Sequence, residues 1–195
     1  MRLFAATKNA GKLAELQTLF APYGVEIVSW EGYADPEETA DTYAGNAAIK
    51  ARALHEQLSR AGMRADVIAD DSGLEIAALG GRPGVYSARY GGANATWQQR
   101  RASILREVGE SGSSDRGARF VCVLCYVSAD GREIFSEGVA EGELSRNERG
   151  ELGFGYDPIF YDPSEHATYG EIPETEKNKI SHRAKAVAKL METIV

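Results

Sequence analysis

The length, composition and charge of the chain are those of a globular protein with one domain. Its 195 residues, 43% of them hydrophobic, can bury one core and require no second, so we expect a single domain over 1–195. The formal charge of −7 argues against a protein that coats a nucleic-acid backbone or an anionic membrane. No apolar run reaches the ~18 to 20 residues of a membrane helix, and the N-terminus lacks a signal-peptide pattern. We therefore expect a cytoplasmic protein with no nucleic-acid or membrane partner.

The first half of the sequence alternates between strand and helix patterns. Short β-rich runs predict strands, and apolar residues three or four positions apart predict helices. The predicted strands are 2–7, 25–30 and 66–69, and the predicted helices carry apolar stripes over 13–20 and 44–58. In the second helix, Asn46 and Lys50 lie one turn apart and can face the same ligand. The segment 70–73 has the composition of a turn, so we expect the third strand to end before it.

The second half adds a helix, a hairpin and a closing helix. Glycines and a proline at 80–84 indicate an irregular loop before the helix. The predicted elements are a helix over 96–108, strands over 119–127 and 133–139 that pair through Asp130-Gly131, and a last helix with an apolar stripe over 184–194. Interleaved strands and helices followed by a hairpin predict an α/β fold with a mixed sheet.

Cys122 and Cys125 form a C-x-x-C pattern inside a β-rich run. In a strand, residues three apart point to opposite faces, which separates the two thiols. No second cysteine pair and no suitably spaced histidine completes a set of four zinc ligands. The pattern favours buried, reduced thiols over a zinc or redox site.

The segment between the first strand and the first helix is the first candidate for anion binding, because N–H groups at a helix N-terminus receive anions. It departs from the Walker A pattern at Ala6, where glycine is needed, and at Leu13, where a hydroxyl would hold Mg²⁺. A P-loop NTPase is therefore disfavoured, and an ordinary polar turn is the alternative interpretation. The candidate residues are Thr7, Lys8, Asn9, Ala10, Gly11 and Lys12.

Two pairs of carboxylates are candidates for a metal and a base. Asp70 and Asp71 follow the third predicted strand, and Glu37 and Glu38 lie in an acidic loop. Mg²⁺ takes a few hard oxygen ligands and completes its shell with water. The alternatives are an Asx turn for the aspartates and a solvated loop for the glutamates. Ligands of open α/β sheets gather at strand ends, which favours a functional interpretation.

Two segments near the C-terminus could contact a nucleoside. Phe154, Gly155, Tyr156 and Asp157 place two aromatic rings around a glycine that permits close approach, with core packing as an equally weighted alternative. Further on, Ser181 is a candidate N-cap of the last helix. Basic residues at a helix N-terminus are unfavourable without compensation, which indicates an anion or a purine edge as their partner. The candidates in this second segment are Lys177, His182 and Arg183.

Taken together, these motifs resemble those of the inosine triphosphate pyrophosphatase family, also called XTP/dITP diphosphatases. The resemblance runs from end to end and rests on TKNAGK at 7–12, the acidic loop with Glu38, NAAIKA at 46–51, ADDSGL at 69–74, GGRPGVYSARY at 80–90, GFGYDPIF at 153–160 and EKNKISHR at 176–183. It implies an α/β fold with an elongated mixed β-sheet, flanking helices and a central nucleotide cleft, in a homodimer. It also implies Mg²⁺-dependent hydrolysis of ITP, dITP and XTP to the monophosphate and pyrophosphate, which cleanses the nucleotide pool.

The resemblance also implies roles for individual residues. Asp71 would be the catalytic proton acceptor, Glu38 and Asp71 would hold Mg²⁺, and Ser72 would lie beside the substrate. The residues implied to contact the triphosphate are Thr7, Asn9, Lys12, Lys50 and Lys177, and Lys8, Ala10 and Gly11 belong to the same substrate-binding segment. Those implied to form the nucleoside pocket are Phe154, Gly155, Tyr156, Asp157, His182 and Arg183. Arg183 carries only donors, so it would pair with a keto oxygen and not with the amino group of adenine.

The sequence departs from the family pattern at three positions. Lys8 and Ala40 stand where glycine is frequent, and Gly45 stands where glutamate is common. None of these removes a residue with an implied chemical role. The acidic loop aligns by few letters, which leaves Glu37 as the alternative to Glu38. Two rival functions remain: a Maf-type pyrophosphatase acting on other modified nucleotides, and a nucleotide sensor that binds without turnover.

Overall fold

A computed structural model describes residues 1–92 and 94–194. The strands are β1 (Arg2–Ala5), β2 (Glu26–Val28), β3 (Asp66–Ile76), β4 (Gly117–Val127), β5 (Glu133–Leu144), β6 (Phe160–Asp162) and β7 (Ala167–Thr168). The helices are α1 (Ala10–Phe20), α2 (Tyr43–Arg60), α3 (Trp97–Glu110), α4 (Glu174–Ile180) and α5 (His182–Ile194). Within the described residues, the strands form one sheet in the order β2-β1-β3-β4-β5-β6-β7. β1 is parallel to β2 and β3, and β6 is antiparallel to β5 and β7. The predicted mixed sheet with flanking helices is confirmed.

The chain divides into two compact units. The first unit comprises Met1–Asp71, Cys122–Gly138 and His182–Val195, and the second comprises Ser72–Val121 and Val139–Ser181. The strands β3, β4 and β5 each contribute residues to both units. The single-domain organisation stays a prediction. No helix in the described parts of the chain is long and apolar enough to cross a membrane.

In the first unit, β3 separates two hydrophobic clusters because its side chains alternate between faces. Ile68 packs with α1 and α5, in a cluster that includes Phe20 and Leu190. Val67 and Ala69 belong instead to a cluster with α2. Burying each large aliphatic or aromatic side chain contributes about 1.5–3 kcal/mol. Because of this alternation, neighbouring residues of β3 pack against different helices.

In the second unit, α3 and three aromatic rings form the core. Thr96 caps α3 through a reciprocal bond pair with Gln99, which explains why the helix begins where the sequence predicts. The ring of Phe160 lies 4.6 Å from that of Phe120 and 4.8 Å from that of Tyr169, measured between centroids. These ring contacts pack the start of β6, which follows the segment 153–159, against Phe120 of β4.

The expected turn at 70–73 is wrong, because β3 continues without interruption to Ile76. Asp70 and Asp71 are 2% and 6% exposed, and both have cationic partners. Tertiary pairing therefore overrides the local turn preference of Asp-Asp-Ser-Gly. The two aspartates therefore lie within the strand, and their predicted position at its end is wrong.

The two cysteines confirm the prediction of buried thiols on opposite faces. Cys122 belongs to the cluster with α1 and α5, and Cys125 belongs to the cluster with α2. Both are free and buried. Burial raises the pKa of each thiol to about 12, so both are protonated at neutral pH.

Candidate active site

Asp70 and Asp71 are adjacent in β3 and meet different elements. Asp70 contacts residues of α1 and α5, and Asp71 contacts residues of α2. The alternation of a strand requires this separation. One strand thus supplies two distinct acidic clusters to the first unit.

The first cluster gathers around Asp71. Lys50 Nζ lies 3.0 Å from Asp71 Oδ1 and 3.0 Å from Glu38 Oε1. One turn earlier in α2, Asn46 donates from Nδ2 to Asp71 Oδ2 at 3.4 Å and accepts at Oδ1 from the amide of Ala40. Asn46 and Lys50 thus contact the same residue, Asp71, and their shared contact with a ligand stays a prediction.

The charges in this cluster do not cancel. Two carboxylates face one ammonium, which leaves a formal charge of −1. Burial raises the pKa of Asp71, although Lys50 and Lys12 oppose the shift. Burial lowers the pKa of Lys50, but Asp71, Asp70 and Glu38 raise it overall, so the lysine stays charged. The result is a buried carboxylate of increased basicity beside a permanent cation.

The second cluster gathers around Asp70 and is neutral. Arg183 donates from Nη2 and Nε to Asp70 Oδ2 at 2.9 and 3.3 Å, and from Nη1 to Glu15 Oε2. Lys12 Nζ lies 3.1 Å from Asp70 Oδ1. Two acids and two bases sum to zero. Their side chains are nearly inaccessible except that of Lys12, which is 20% exposed. This cluster ties α1 and α5 to β3.

The segment before α1 uses its side-chain oxygens to cap the helix. Asn9 Oδ1 accepts from the amide of Lys12 at 3.1 Å, and Thr7 Oγ1 accepts from the amide of Asn9 at 3.1 Å. Lys8 is exposed and lies 3.8 Å from Asp35. Ala10 and Gly11 open α1. The N-terminus of α1 thus carries the cap and a lysine that reaches Asp70, and phosphate contact by 7–12 stays a prediction.

Gly138 in β5 lets α5 begin close to the sheet. A Cβ at this position would lie 2.1 Å from the carbonyl oxygen of His182 and 2.4 Å from the amide nitrogen of Ala186. Only glycine permits such an approach between backbones. His182 and Arg183, the first residues of α5, are buried there at 5% and 2% exposure.

The second unit holds a separate buried ion pair. Lys177 Nζ lies 2.7 Å from Asp157 Oδ2, which also accepts from the amide of Phe154 at 2.8 Å. The ammonium lies 5.1 Å from the centroid of the Phe154 ring. Three predicted site residues are therefore brought together. Ser72 is half-buried in β3 at the start of this unit.

Tyr156 and Gly155 have structural contacts. The Tyr156 hydroxyl donates to the carbonyl of Ser87 at 2.7 Å, and its ring meets Trp97 edge-on at 5.3 Å. Gly155 has φ 66°, which favours glycine, and its carbonyl accepts from Arg101 at 2.8 Å. For Tyr156 the core-packing alternative describes its position, and its contact with a nucleoside stays a prediction.

Glu38 and Asp71 fit a role in holding Mg²⁺. Their carboxylate oxygens converge within 3.0 Å of one cationic nitrogen, so both are placed to share a cation. Glu37 is exposed, which favours Glu38 of the two alternatives. Among the described residues no group of three or more His, Cys, Asp or Glu could hold a metal. Mg²⁺ is commonly held by one or two carboxylates and takes its other ligands from water and phosphate.

The sequence motifs did not identify Glu15 or Gly138, two residues that help to position the cluster around Asp70. Glu15 lies beside the apolar stripe of α1 and is 4% exposed, yet its partner Arg183 is 168 positions away. A buried acid needs a cation, but nothing in the sequence identifies which one. The glycine within the predicted strand 133–139 is the sequence feature that could have indicated the close approach of α5 at Gly138.

The fold and these clusters define an α/β protein whose buried carboxylates and lysines suit an anionic substrate. The chain belongs to the Ham1 family, whose model matches residues 3–193. It is 46% identical over 190 residues to the dITP/XTP pyrophosphatase of Geobacillus kaustophilus, covering 96% of this chain and 91% of the relative. It is 42% identical over 198 residues to the dITP/XTP pyrophosphatase of Exiguobacterium sp., covering 100% and 97%.

Solved structures agree with the family assignment. The HAM1 protein from Coxiella burnetii superposes with a TM-score of 0.88 at 40% identity, covering 100% of this chain and 98% of that one. The Ham1 protein of Staphylococcus aureus gives a TM-score of 0.85 at 34% identity, with 100% and 98% covered. The sequence-based resemblance and the prediction of a hydrolase are confirmed.

Proposed function

We propose that this chain hydrolyses deaminated purine nucleoside triphosphates, ITP, dITP and XTP, to the monophosphate and pyrophosphate with Mg²⁺. The observation that carries the proposal is the buried Asp71, held beside Lys50 and Glu38 at 3.0 Å contacts. The names of the relatives, dITP/XTP pyrophosphatase, support the choice of substrate. We further propose that the protein is a cytoplasmic homodimer that removes such nucleotides from the pool.

In this proposal the lysines neutralise the triphosphate. Lys50 and Lys12 belong to α2 and α1 and are fixed by Asp71 and Asp70, so their positions need no reorganisation when an anion arrives. Thr7, Lys8, Asn9, Ala10 and Gly11 add the amides of a helix N-terminus. Lys177 contributes a further charge, and Ser72 lies next to the substrate.

Asp71 accepts the proton of the attacking water at Oδ1 or Oδ2. Its raised pKa makes it a better base than an exposed aspartate, and Lys50 keeps the ionised form populated. Mg²⁺, held by Glu38 and Asp71, would supply charge stabilisation to the phosphoryl oxygens. Attack at the α-phosphorus releases pyrophosphate, and no covalent enzyme intermediate is needed.

Nucleoside recognition is assigned to Phe154, Gly155, Tyr156 and Asp157 with His182 and Arg183. An arginine has five donors and no acceptor, so Arg183 would favour a keto oxygen over an amino group. Its contacts with Asp70 and Glu15 also bind α5 to the sheet. Arg183→Ala is therefore compared by the ratio of kcat/KM for ITP and ATP, which a purely structural role leaves unchanged. A fall in that ratio of about 1 to 3 kcal/mol equivalent supports base contact.

The test of the proposal is a panel of ITP, dITP, XTP, GTP and ATP with Mg²⁺ in heavy-oxygen water. We expect pyrophosphate as the inorganic product and the heavy oxygen in the monophosphate, because attack is at the α-phosphorus. Orthophosphate as the first product, or label in pyrophosphate, would refute the reaction. Binding of ITP without turnover would indicate a sensor, and a preference for other modified nucleotides would indicate the Maf-type alternative.

Two substitutions in the acidic loop test the proposal that Glu38 holds Mg²⁺. Glu38→Gln should raise the Mg²⁺ concentration needed for half-maximal turnover, whereas Glu37→Gln, at the exposed neighbouring position, should leave it unchanged. Equal effects of the two substitutions would contradict the assignment of Glu38. Sedimentation velocity at several protein concentrations tests the proposed homodimer.

A further inference from the structure

A groove of about 370 Å³ in the second unit is lined by three arginines. Arg116 immediately precedes β4, Arg146 and Arg149 follow β5, and Tyr161 lies in β6. Its volume is in the range of small-molecule sites. None of these residues belongs to the clusters around Asp70, Asp71 or Asp157. We call this feature the arginine groove.

The arginine groove carries net positive charge on an acidic protein. Three arginines against one lining acid, Glu143, give a formal +2, whereas the whole chain carries −7. Burial and the neighbouring charge of Arg146 lower the pKa of Arg116. Like charges gathered at one place cost free energy unless an anion joins them. The charge pattern therefore indicates an anionic ligand.

The contacts of the three arginines within the protein use only some of their guanidinium donors. Arg116 donates from Nε and Nη2 to the carbonyls of Leu144 and Ser145, so backbone and not a carboxylate orients its guanidinium. Arg149 has one acidic neighbour, Glu171, at 3.2 Å in a half-exposed pair. Arg146 is exposed and forms no ion pair within the described ranges of the chain. The groove thus combines the fixed guanidinium of Arg116, the partly neutralised guanidinium of Arg149 and the exposed guanidinium of Arg146.

The chemistry of these groups selects phosphate over other anions. Guanidinium forks bind phosphate oxygens through paired, charge-assisted hydrogen bonds, and arginine is preferred where such recognition matters. Asn147 adds an amide, and Tyr161 adds an aromatic face, over which the Arg149 guanidinium lies at 5.9 Å. A carboxylate ligand would use fewer of these donors than a phosphoryl group with three oxygens.

We propose that the arginine groove of Arg116, Arg146 and Arg149 is a second anion site that binds a small phosphate-bearing ligand. The shared chemistry is a phosphoryl group, which can come from an inorganic anion or from a nucleotide. The site is independent of the proposed hydrolysis, because none of its lining residues is among those proposed for catalysis or substrate binding. Failure of either proposal leaves the other standing.

The test follows binding residue by residue on the full chain labelled with nitrogen-15. In metal-free buffer, inorganic pyrophosphate, IMP and uncharged inosine are titrated separately, and the amides of 144–149 are monitored. We expect saturable shifts with pyrophosphate that weaken as salt rises, and none with inosine. Tighter binding of IMP than of inorganic pyrophosphate would identify a nucleotide as the source, and IMP binding no tighter than pyrophosphate binding would identify a free anion.

Two charge reversals provide the decisive comparison. Arg146→Glu should weaken pyrophosphate binding at these amides at least about tenfold, the loss expected for a charge-assisted hydrogen bond turned into repulsion. Arg106→Glu, at an exposed position of α3, changes the net charge equally and should leave the affinity unchanged. Thermal melts and dITP turnover should be unaffected in both variants.

Three results would overturn the proposal. The amides of 144–149 could stay unshifted at millimolar pyrophosphate, or the two charge reversals could weaken binding equally, which would reflect net charge alone. Arg146→Glu could also change the sedimentation coefficient while leaving pyrophosphate binding intact. That last result would assign the groove to contact between copies of the chain.

Discussion

Replacing Asp70 and Asp71 separately by asparagine should produce different defects, a loss of stability in the first variant and a loss of turnover in the second. Each substitution keeps the side-chain volume and removes one charge. Asp70 belongs to a neutral cluster with Glu15, Arg183 and Lys12, whereas Asp71 belongs to a cluster of charge −1 with Glu38 and Lys50. We expect Asp70→Asn to lower stability and Asp71→Asn to lower turnover strongly while the fold survives.

The magnitudes follow from the charge left behind. Asp70→Asn leaves a formal +1 at a site where Arg183 is 2% exposed, and losing one partner of a buried pair costs about 3–5 kcal/mol. Lys12 is 20% exposed and can turn to solvent, so the lower end of that range applies. Total stabilities of about 5–15 kcal/mol make this a large loss.

Asp71→Asn leaves its cluster neutral, with Lys50 still 3.0 Å from Glu38. The raised pKa of Asp71 means that its charge is less favourable in the folded than in the unfolded chain, so removing that charge relieves an unfavourable burial. The lost hydrogen bonds cost no more than about 1.5 kcal/mol. Turnover should fall by about 10²- to 10⁴-fold because the general base is gone.

The assay pairs urea unfolding with dITP turnover at saturating Mg²⁺ on the same preparations. Calorimetric titration with dITP checks that Asp71→Asn still binds substrate through its lysines. A stable Asp70→Asn variant together with an unfolded Asp71→Asn variant would reverse the assignment. Near-normal turnover of Asp71→Asn would refute its role as base.

Three further predictions test the packing of the first unit. The two cysteine thiols of β4 should resist iodoacetamide at pH values near neutrality and react only after unfolding, since each has a pKa of about 12; mass spectrometry of the alkylated protein checks this. Gly138→Ala should cost at least about 1–3 kcal/mol in urea unfolding, because its Cβ would meet backbone of α5 at 2.1 Å, while Gly109→Ala in α3 meets nothing within 4 Å and should be neutral or stabilising. Gly45→Ala would place a Cβ 2.5 Å from that of Ala40, so its cost should shrink when Ala40→Gly is also present, and a double-mutant cycle without coupling would contradict this contact.

The Gly45 and Ala40 contact also explains two departures from the family pattern noted in the sequence. The resemblance places glycine at position 40 and glutamate at position 45, whereas this chain has a side chain at position 40 and none at position 45. Ala40 occupies the space that a Cβ at 45 would need. The sequence shows each departure separately. The structure relates them, because side chains at positions 40 and 45 would need the same space.

Periodicity predicted the helices that build the clusters because their apolar stripes are local signals. Asn46 and Lys50, one turn apart in α2, could be paired from the sequence for the same reason. The partners of Arg183 could not, since Asp70 and Glu15 lie 113 and 168 positions away. The end of β3 was also misplaced, because Asp-Asp-Ser-Gly has turn propensity and its burial depends on cations from three helices.

The continuation of β3 through Asp70 and Asp71 changes the physical meaning of this acidic pair. A turn would have exposed both carboxylates to solvent, where neither needs a cation and neither gains basicity. An extended strand buries both and sends them to opposite faces. On one face the field of Arg183 and Lys12 neutralises Asp70 and joins two helices to the sheet. On the other face one lysine serves two acids, which leaves Asp71 with the excess charge that a metal ion and a proton can compensate. Because neighbouring side chains of a strand alternate, Asp70 stabilises the fold and Asp71 is available for the proposed chemistry.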